Sequence, residues 1–208
     1  MKAAPDPLST APKTLLEFAG VVSTPSRLSE SILVIIDAQK EYSAGKIALV
    51  GLDPALIEAA ALLARARQLG SPVIHVTHEN KAGAALFSAG SVSVDILDEL
   101  SPLGSETVIR KTMANSFFNS SLENEIRATG RSELIVFGYM THMAVDATVR
   151  SALERGFRTT VVGNACATRD LSNGYSEVVP ASVVHDATLA ALRDRFATVV
   201  RAGSEIPD

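Results

Sequence analysis

Apolar residues in this chain fall into short continuous runs, separated by longer stretches in which they recur every three or four positions. The runs Ile32–Ile36, Pro72–Thr77, Thr107–Arg110, Leu134–Phe137, Thr159–Val162 and Ala197–Val200 suit strands buried on both faces. Pro54–Leu69, Ser121–Thr129, Ala144–Arg155 and Ala181–Arg195 carry helical spacing. Strands alternating with amphipathic helices predict a single-domain, three-layer α/β/α fold on a roughly six-stranded, mostly parallel sheet with right-handed crossovers. Asp53-Pro54 reads as an N-cap followed by proline at the first helical position, and Gly70 and Gly156 as left-handed helix ends. Residues 1–29, with Pro5, Pro7, Pro12 and Pro25, read as an N-terminal arm ahead of a domain over 30–208. The arm has room for a short helix around Lys13–Phe18, and arms of this kind often pack on a neighbouring subunit.

Composition narrows the function. With 208 residues and 47% hydrophobic content the chain can bury one sizeable core. A net charge of −4 with 19 scattered basic residues gives no electrostatic footprint for nucleic acid. No apolar run approaches the roughly 18 residues of a membrane span, and no secretory leader is evident, so a soluble cytoplasmic protein is expected. The single cysteine, Cys166, has no partner for an internal disulfide, and Cys/His pairs at zinc-type spacing are absent. Neither a metal nor a cofactor is expected.

Open α/β sheets place ligands at the carboxyl ends of their strands, and the residues there are suggestive. Asp37 directly follows the first strand, Lys111 follows the third, and Gly138-Tyr-Met-Thr-His-Met-Ala-Val-Asp-Ala-Thr-Val-Arg150 joins the fourth to its helix. Taken singly, Asp37 reads equally as a polar loop residue and Lys111 as a solvated lysine beside Arg110. Taken together, an ammonium near Asp37 would keep the carboxylate ionised and stabilise negative charge developing on a substrate.

These segments resemble the isochorismatase-like hydrolases, also called cysteine hydrolases, over about residues 30 to 200. The resemblance rests on Ile35-Ile-Asp-Ala-Gln39, His75-Val-Thr-His78, Ile109-Arg-Lys111, Gly138 through Arg150, and Asn164-Ala-Cys-Ala-Thr-Arg-Asp170. It implies the isochorismatase-like fold and a catalytic triad of Asp, Lys and Cys. Asp37 and Lys111 match the first two members, while Ala144 stands where the family's Gly-x-x-Thr-x-x-Cys-Val motif has its nucleophile. By resemblance the oxyanion would be held by the backbone N–H groups of Met140 and Ala144, with a non-proline cis peptide at Tyr139–Met140. The implied chemistry is cleavage of a C–N bond in a small amide, imide or ureide by a thiolate whose proton Asp37 takes and returns. Three readings of Ala144 stand: an introduced Cys→Ala replacement, an isochorismatase-type enzyme that uses Asp37 as a general acid on a vinyl ether, or a non-catalytic ligand-binding pseudoenzyme. The introduced replacement is preferred, because the rest of the motif is intact.

Cys166 looks like the second cysteine of the family's Asp-Ala-Cys-Ala-Thr segment and is expected to be buried and inert. His75 reads as an ordinary strand histidine, His142 as a residue lining the site or an interface, and His185 as a structural residue. Family nicotinamidases bind zinc through residues after the first strand, but Tyr42 to Val50 offers no such ligands. Candidate substrate-binding residues are Gln39, Tyr42, Phe87, Phe117, Tyr139 and Thr141. Phe117 and Phe118 cannot both face one pocket from an extended segment. Family members often form dimers or tetramers, so a homo-oligomer is expected.

Overall fold

A computed structural model describes residues 11–104 and 106–208. The first ten residues of the expected arm, with Pro5 and Pro7, lie outside the described residues. The strands are β1 (Ile32–Ile36), β2 (Val73–His78), β3 (Thr107–Lys111), β4 (Glu133–Gly138), β5 (Arg158–Val162), a short antiparallel pair β6 (Leu171–Ser172) and β7 (Val178–Val179), and β8 (Thr198–Val200). Six of them form one sheet in the order β3-β2-β1-β4-β5-β8 with every pair parallel. Flanking helices are α1 (Leu15–Phe18), α2 (Leu52–Gln68), α3 (Leu122–Ala128), α4 (Asp146–Glu154) and α5 (Ala181–Arg195). This is the expected three-layer α/β/α architecture. Chain order reverses between β1 and β4, and the crevice beyond their carboxyl ends is where such sheets hold ligands.

All five residues of β1 are buried, so both faces of the central strand are covered. Each such side chain contributes about 1.5–3 kcal/mol relative to exposure. β2 is shifted one residue towards His78 relative to the sequence reading, β3, β4 and β5 each gain a residue at one or both ends, β8 loses Ala197, and Lys111 belongs to β3 rather than following it.

Two helix starts differ from expectation. α2 begins at Leu52 with Gly51 (φ 74°) as its cap, so Asp53 and Pro54 occupy the first turn. The first turn lacks intrahelical N–H partners, which is why proline fits there, and Asp53 complements the helix dipole. The helix expected over Ala144–Arg155 is preceded by a π-helical turn at Thr141–Val145, and α4 starts at Asp146. Gly70 (φ 66°) and Gly156 (φ 81°) end α2 and α4 as expected. The following amides, Ser71 and Phe157, donate back to Ala66 and Ala152.

The described part of the arm lies against its own chain. α1 carries a Thr14/Glu17 capping box, and the Leu15 N–H donates to Asp194 on α5 at 2.9 Å. Ser23 bonds Thr198 of β8, while Arg158 of β5 donates to the Thr24 carbonyl. The long loop after β2 folds back over the carboxyl edge, where it buries Phe87 and bridges Gln39 to Ile96.

Candidate active site

Asp37, one residue beyond β1, has φ 50°, a left-handed conformation uncommon outside glycine, asparagine and aspartate. Its N–H donates to Val76 at 2.8 Å, which fixes the turn out of the strand. Lys111, at the end of β3, reaches across to donate from Nζ to Asp37 Oδ2 at 2.6 Å. Both residues are buried, and Asp37 Oδ1 has no protein partner among the described residues. Burial raises the Asp37 carboxyl to about 6, a shift that Lys111 opposes by charge and hydrogen bond. The carboxyl is therefore held above the usual carboxylate range.

The opposite wall is the turn leaving β4. Gly138 sits at φ 140°, and a Cβ there would collide with the Ile36 carbonyl of the neighbouring strand. Glycine is what lets β4 approach β1 here. We predict that Gly138→Ala costs about 3 kcal/mol or more, read as a lowered thermal midpoint, because both backbone conformation and strand spacing must give. The Tyr139–Met140 peptide is cis, as the family resemblance implied. Thr141 anchors the turn: its N–H and hydroxyl both donate to the Ala167 carbonyl, at 3.0 and 3.1 Å, and the hydroxyl also meets His185 Nδ1 at 2.9 Å. Val145 N–H donates to the Met140 carbonyl five residues back, and Ala144 sits on this turn, buried.

Asp37, Met140 and Ala144 line one cavity of about 290 Å³. Tyr42, Ile47, Leu86 and Phe87 form its loop side, and His78, Thr112, Met113, Ala114, Met143 and Arg169 complete it. Larger hollows of about 490 and 550 Å³ lie elsewhere, but neither is lined by Asp37, and Lys111 reaches Asp37 from behind the wall of the 290 Å³ cavity without lining it. Of the six expected substrate-binding residues, only Tyr42 and Phe87 line this cavity. Gln39 is fully buried and staples the loop, donating to the His78 and Val94 carbonyls and accepting from the His78 N–H, each at 2.8 Å. Phe117 stacks on Phe157 beneath Arg155, leaving Phe118 exposed. Tyr139 is packed under Tyr42, and Thr141 serves the turn. Sequence reasoning missed His78, Arg169 and the Thr112–Ala114 segment. His78 ends β2 and Thr112–Ala114 follows β3, so their place at the carboxyl edge was a signal that applied to them as well, whereas Arg169 lies well beyond the end of β5.

The Isochorismatase domain family matches residues 31–204 of this chain. The chain belongs to the isochorismatase family. It is 44% identical over 169 residues to an uncharacterized isochorismatase family protein, YddQ of Bacillus subtilis, covering 80% of this chain and 93% of that one. It is 34% identical to the secreted isochorismatase effector Isc1 of Verticillium dahliae, covering 87% and 93%. The crystal structure of an isochorismatase from Pseudomonas putida superposes with a TM-score of 0.90 at 39% identity, covering 94% of this chain and all of that one. Relatives also include a streptothricin hydrolase of Streptomyces noursei (32% identical, covering 83% of this chain and 69% of that one) and a ureidoacrylate amidohydrolase of Pseudomonas savastanoi (25%, covering 65% and 70%).

Within this isochorismatase-family framework the remaining candidates take structural places. Cys166 is buried, does not line the 290 Å³ cavity, and burial pushes its thiol up to about 12. A thiol held protonated is a poor nucleophile. His75 is buried in β2 with Nε2 on Glu106 at 2.9 Å, and burial keeps the ring below its usual pKa. His142 Nδ1 pairs with Thr168 at 2.6 Å. Among the described residues no three His, Cys, Asp or Glu side chains converge as a metal site would require, and no helix is long and apolar enough to cross a membrane.

Proposed function

We propose that this protein is a small-molecule hydrolase whose site is that of an Asp-Lys-Cys amidohydrolase with the nucleophile missing. The observation that supports it is one cavity shared by Asp37, with an unpartnered oxygen, by Met140, and by the Ala144 methyl. In the parent chemistry a thiol at position 144 gives its proton to Asp37 and attacks an amide, imide or ureide carbonyl. Asp37 then protonates the departing nitrogen, and water hydrolyses the thioester. The Met140 and Ala144 N–H groups would hold the oxyanion, and Lys111 keeps Asp37 ionised between turnovers. An introduced Cys→Ala replacement accounts for Ala144, since every other part of the motif is in place. The proposed setting is a homo-oligomer, a dimer or tetramer, in the cytoplasm; exposed Leu15, Phe18 and Val22 on the arm suit the former and the unpaired Cys166 the latter.

A second reading is favoured by the raised Asp37 carboxyl: with no thiol, Asp37 protonates the double-bond carbon of a vinyl ether, water adds to the resulting oxocarbenium ion and returns a proton to Asp37, and the hemiketal collapses by C–O cleavage to a carbonyl compound and an alcohol. The two differ in the sign of their pH dependence. A base must be ionised, so turnover of amides by the Ala144→Cys protein should fall as pH drops below about 6. An acid must be protonated, so vinyl ether hydrolysis by the unmodified chain should rise over the same interval. Rate profiles from pH 4.5 to 8 decide between them, and a profile flat through pH 6 in both proteins removes Asp37 from either role.

A further inference from the structure

His185 belongs to α5, and it reaches a residue 44 positions earlier in the chain. Its Nδ1 lies 2.9 Å from the Thr141 hydroxyl, and that hydroxyl gives its own proton to the Ala167 carbonyl at 3.1 Å. A hydroxyl has one proton to donate, so with that proton committed His185 must be the donor. The ring is then the Nδ1–H tautomer, and its bare Nε2 is left on the side of the hollow of about 550 Å³ that His185 lines. Thr141 is completely buried, and its N–H goes to the same Ala167 carbonyl at 3.0 Å. The next residue of the turn, His142, pairs with Thr168 at 2.6 Å, so two consecutive residues of the turn are tied to two consecutive residues beyond β5. Thr141 directly follows Met140, whose N–H is one of the two proposed oxyanion donors. His185 does not line the 290 Å³ cavity, so it acts on the site only through Thr141.

We infer that His185 is a positioning residue for the proposed reaction: by donating from Nδ1 to the Thr141 hydroxyl it locks the peptide after Met140 and holds the Met140 N–H where the oxyanion forms. The turn itself supplies little restraint at this end, since its own backbone bonds run from Met143 and Val145 to the Met140 carbonyl and none holds Thr141. An oxyanion donor is useful only at hydrogen-bond distance from the developing charge, and a misplacement of about 1 Å costs on the order of 10²-fold in rate. The charge exists in the transition state and not in the bound amide, so the cost falls on kcat and spares KM. The inference rests on the proposed hydrolase reading of the same cavity.

The test uses the Ala144→Cys protein and the amide on which it releases ammonia fastest, with rates counted per folded site. H185L should lower kcat about 10–100-fold while KM stays within about threefold. H185N, whose amide nitrogen can stand where Nδ1 does, should return kcat to within about threefold of the parent, which a role in packing alone would not produce. T141V removes the relaying hydroxyl and should lose at least as much as H185L. Adding H185L to T141V should then cost less than about twofold more, because one chain of bonds is being cut twice. In the unmodified chain, nitrogen NMR of the imidazole should show the Nδ1–H tautomer, a readout that requires neither turnover nor a variant that folds. An Nε2–H tautomer, an H185L protein with kcat within about threefold of the parent, or an H185N protein as slow as H185L overturns the inference and leaves the hydrolase reading standing. Neither ammonia nor an acyl adduct from the Ala144→Cys protein with His185 intact removes that reading, and this inference with it.

Discussion

Replacing Ala144 by cysteine should confer ammonia release, with a gain on the order of 10⁴–10⁶-fold over the unmodified chain towards its best amide, imide or ureide. Ala144 lines the same cavity as Asp37 and stands on the turn that follows Met140, so a sulfur at that Cβ would join a site already assembled. The incoming thiol would find in Asp37 a carboxylate with one oxygen free to take its proton. Asp37→Asn in the restored protein should then remove about 10³-fold of the gain, because the amide keeps the shape and loses the base. Asparagine tolerates the left-handed conformation at this position, so the control should fold. The assay is ammonia release from a panel, with mass spectrometry of the intact protein to catch the thioester. A restored thiol that gives neither ammonia nor an acyl adduct, in a protein of unchanged thermal midpoint, would sink the amidohydrolase proposal and favour vinyl ether chemistry or a binding role.

What could be read from the sequence followed from where physics is local. The buried run Ile32–Ile36 announces a central parallel strand, and in a parallel sheet the residues ending such strands share one edge, so Asp37 and Lys111 were legible as neighbours although 74 positions apart. Left-handed helix ends at Gly70 and Gly156 were legible because only the local backbone decides them. Side-chain direction on the loops was not. Gln39 looked like a site residue, yet its partners His78 and Val94 lie 39 and 55 positions away and draw its amide into the loop. Phe117 was drawn off to Phe157 by a contact no local pattern encodes. The π-helical turn shifted the start of α4 because its bonds span five residues, and the 3.6-residue spacing used to place Ala144 at a helix start does not register that extra residue. Arg169 escaped because the Asn164–Asp170 segment drew attention to its cysteine.

Removing Lys111 should be the most damaging single change to the fold. Lys111→Met leaves Asp37 buried with no counter-charge, and breaking one partner of a buried pair costs about 3–5 kcal/mol. The damage should depend on pH in a fixed direction. Without Lys111 the Asp37 carboxyl loses both influences that now pull its pKa down, so its folded value rises further above the unfolded one. Stability in such a case is fully present below the unfolded pKa and is lost as pH rises through the folded value. Urea midpoints of Lys111→Met should therefore approach those of the parent near pH 4.5 and fall away towards pH 8. The double change Lys111→Met/Asp37→Asn should recover most of the loss at pH 8, because no buried charge remains, and the two changes should be strongly non-additive. A pH-independent loss, or a double variant no better than the single one, would mean that the lysine stem packs the site and its charge does not hold it. Since catalysis in either chemistry needs Asp37 poised near neutrality, the lysine that makes the buried carboxylate tolerable to the fold also sets the pH at which the site can work.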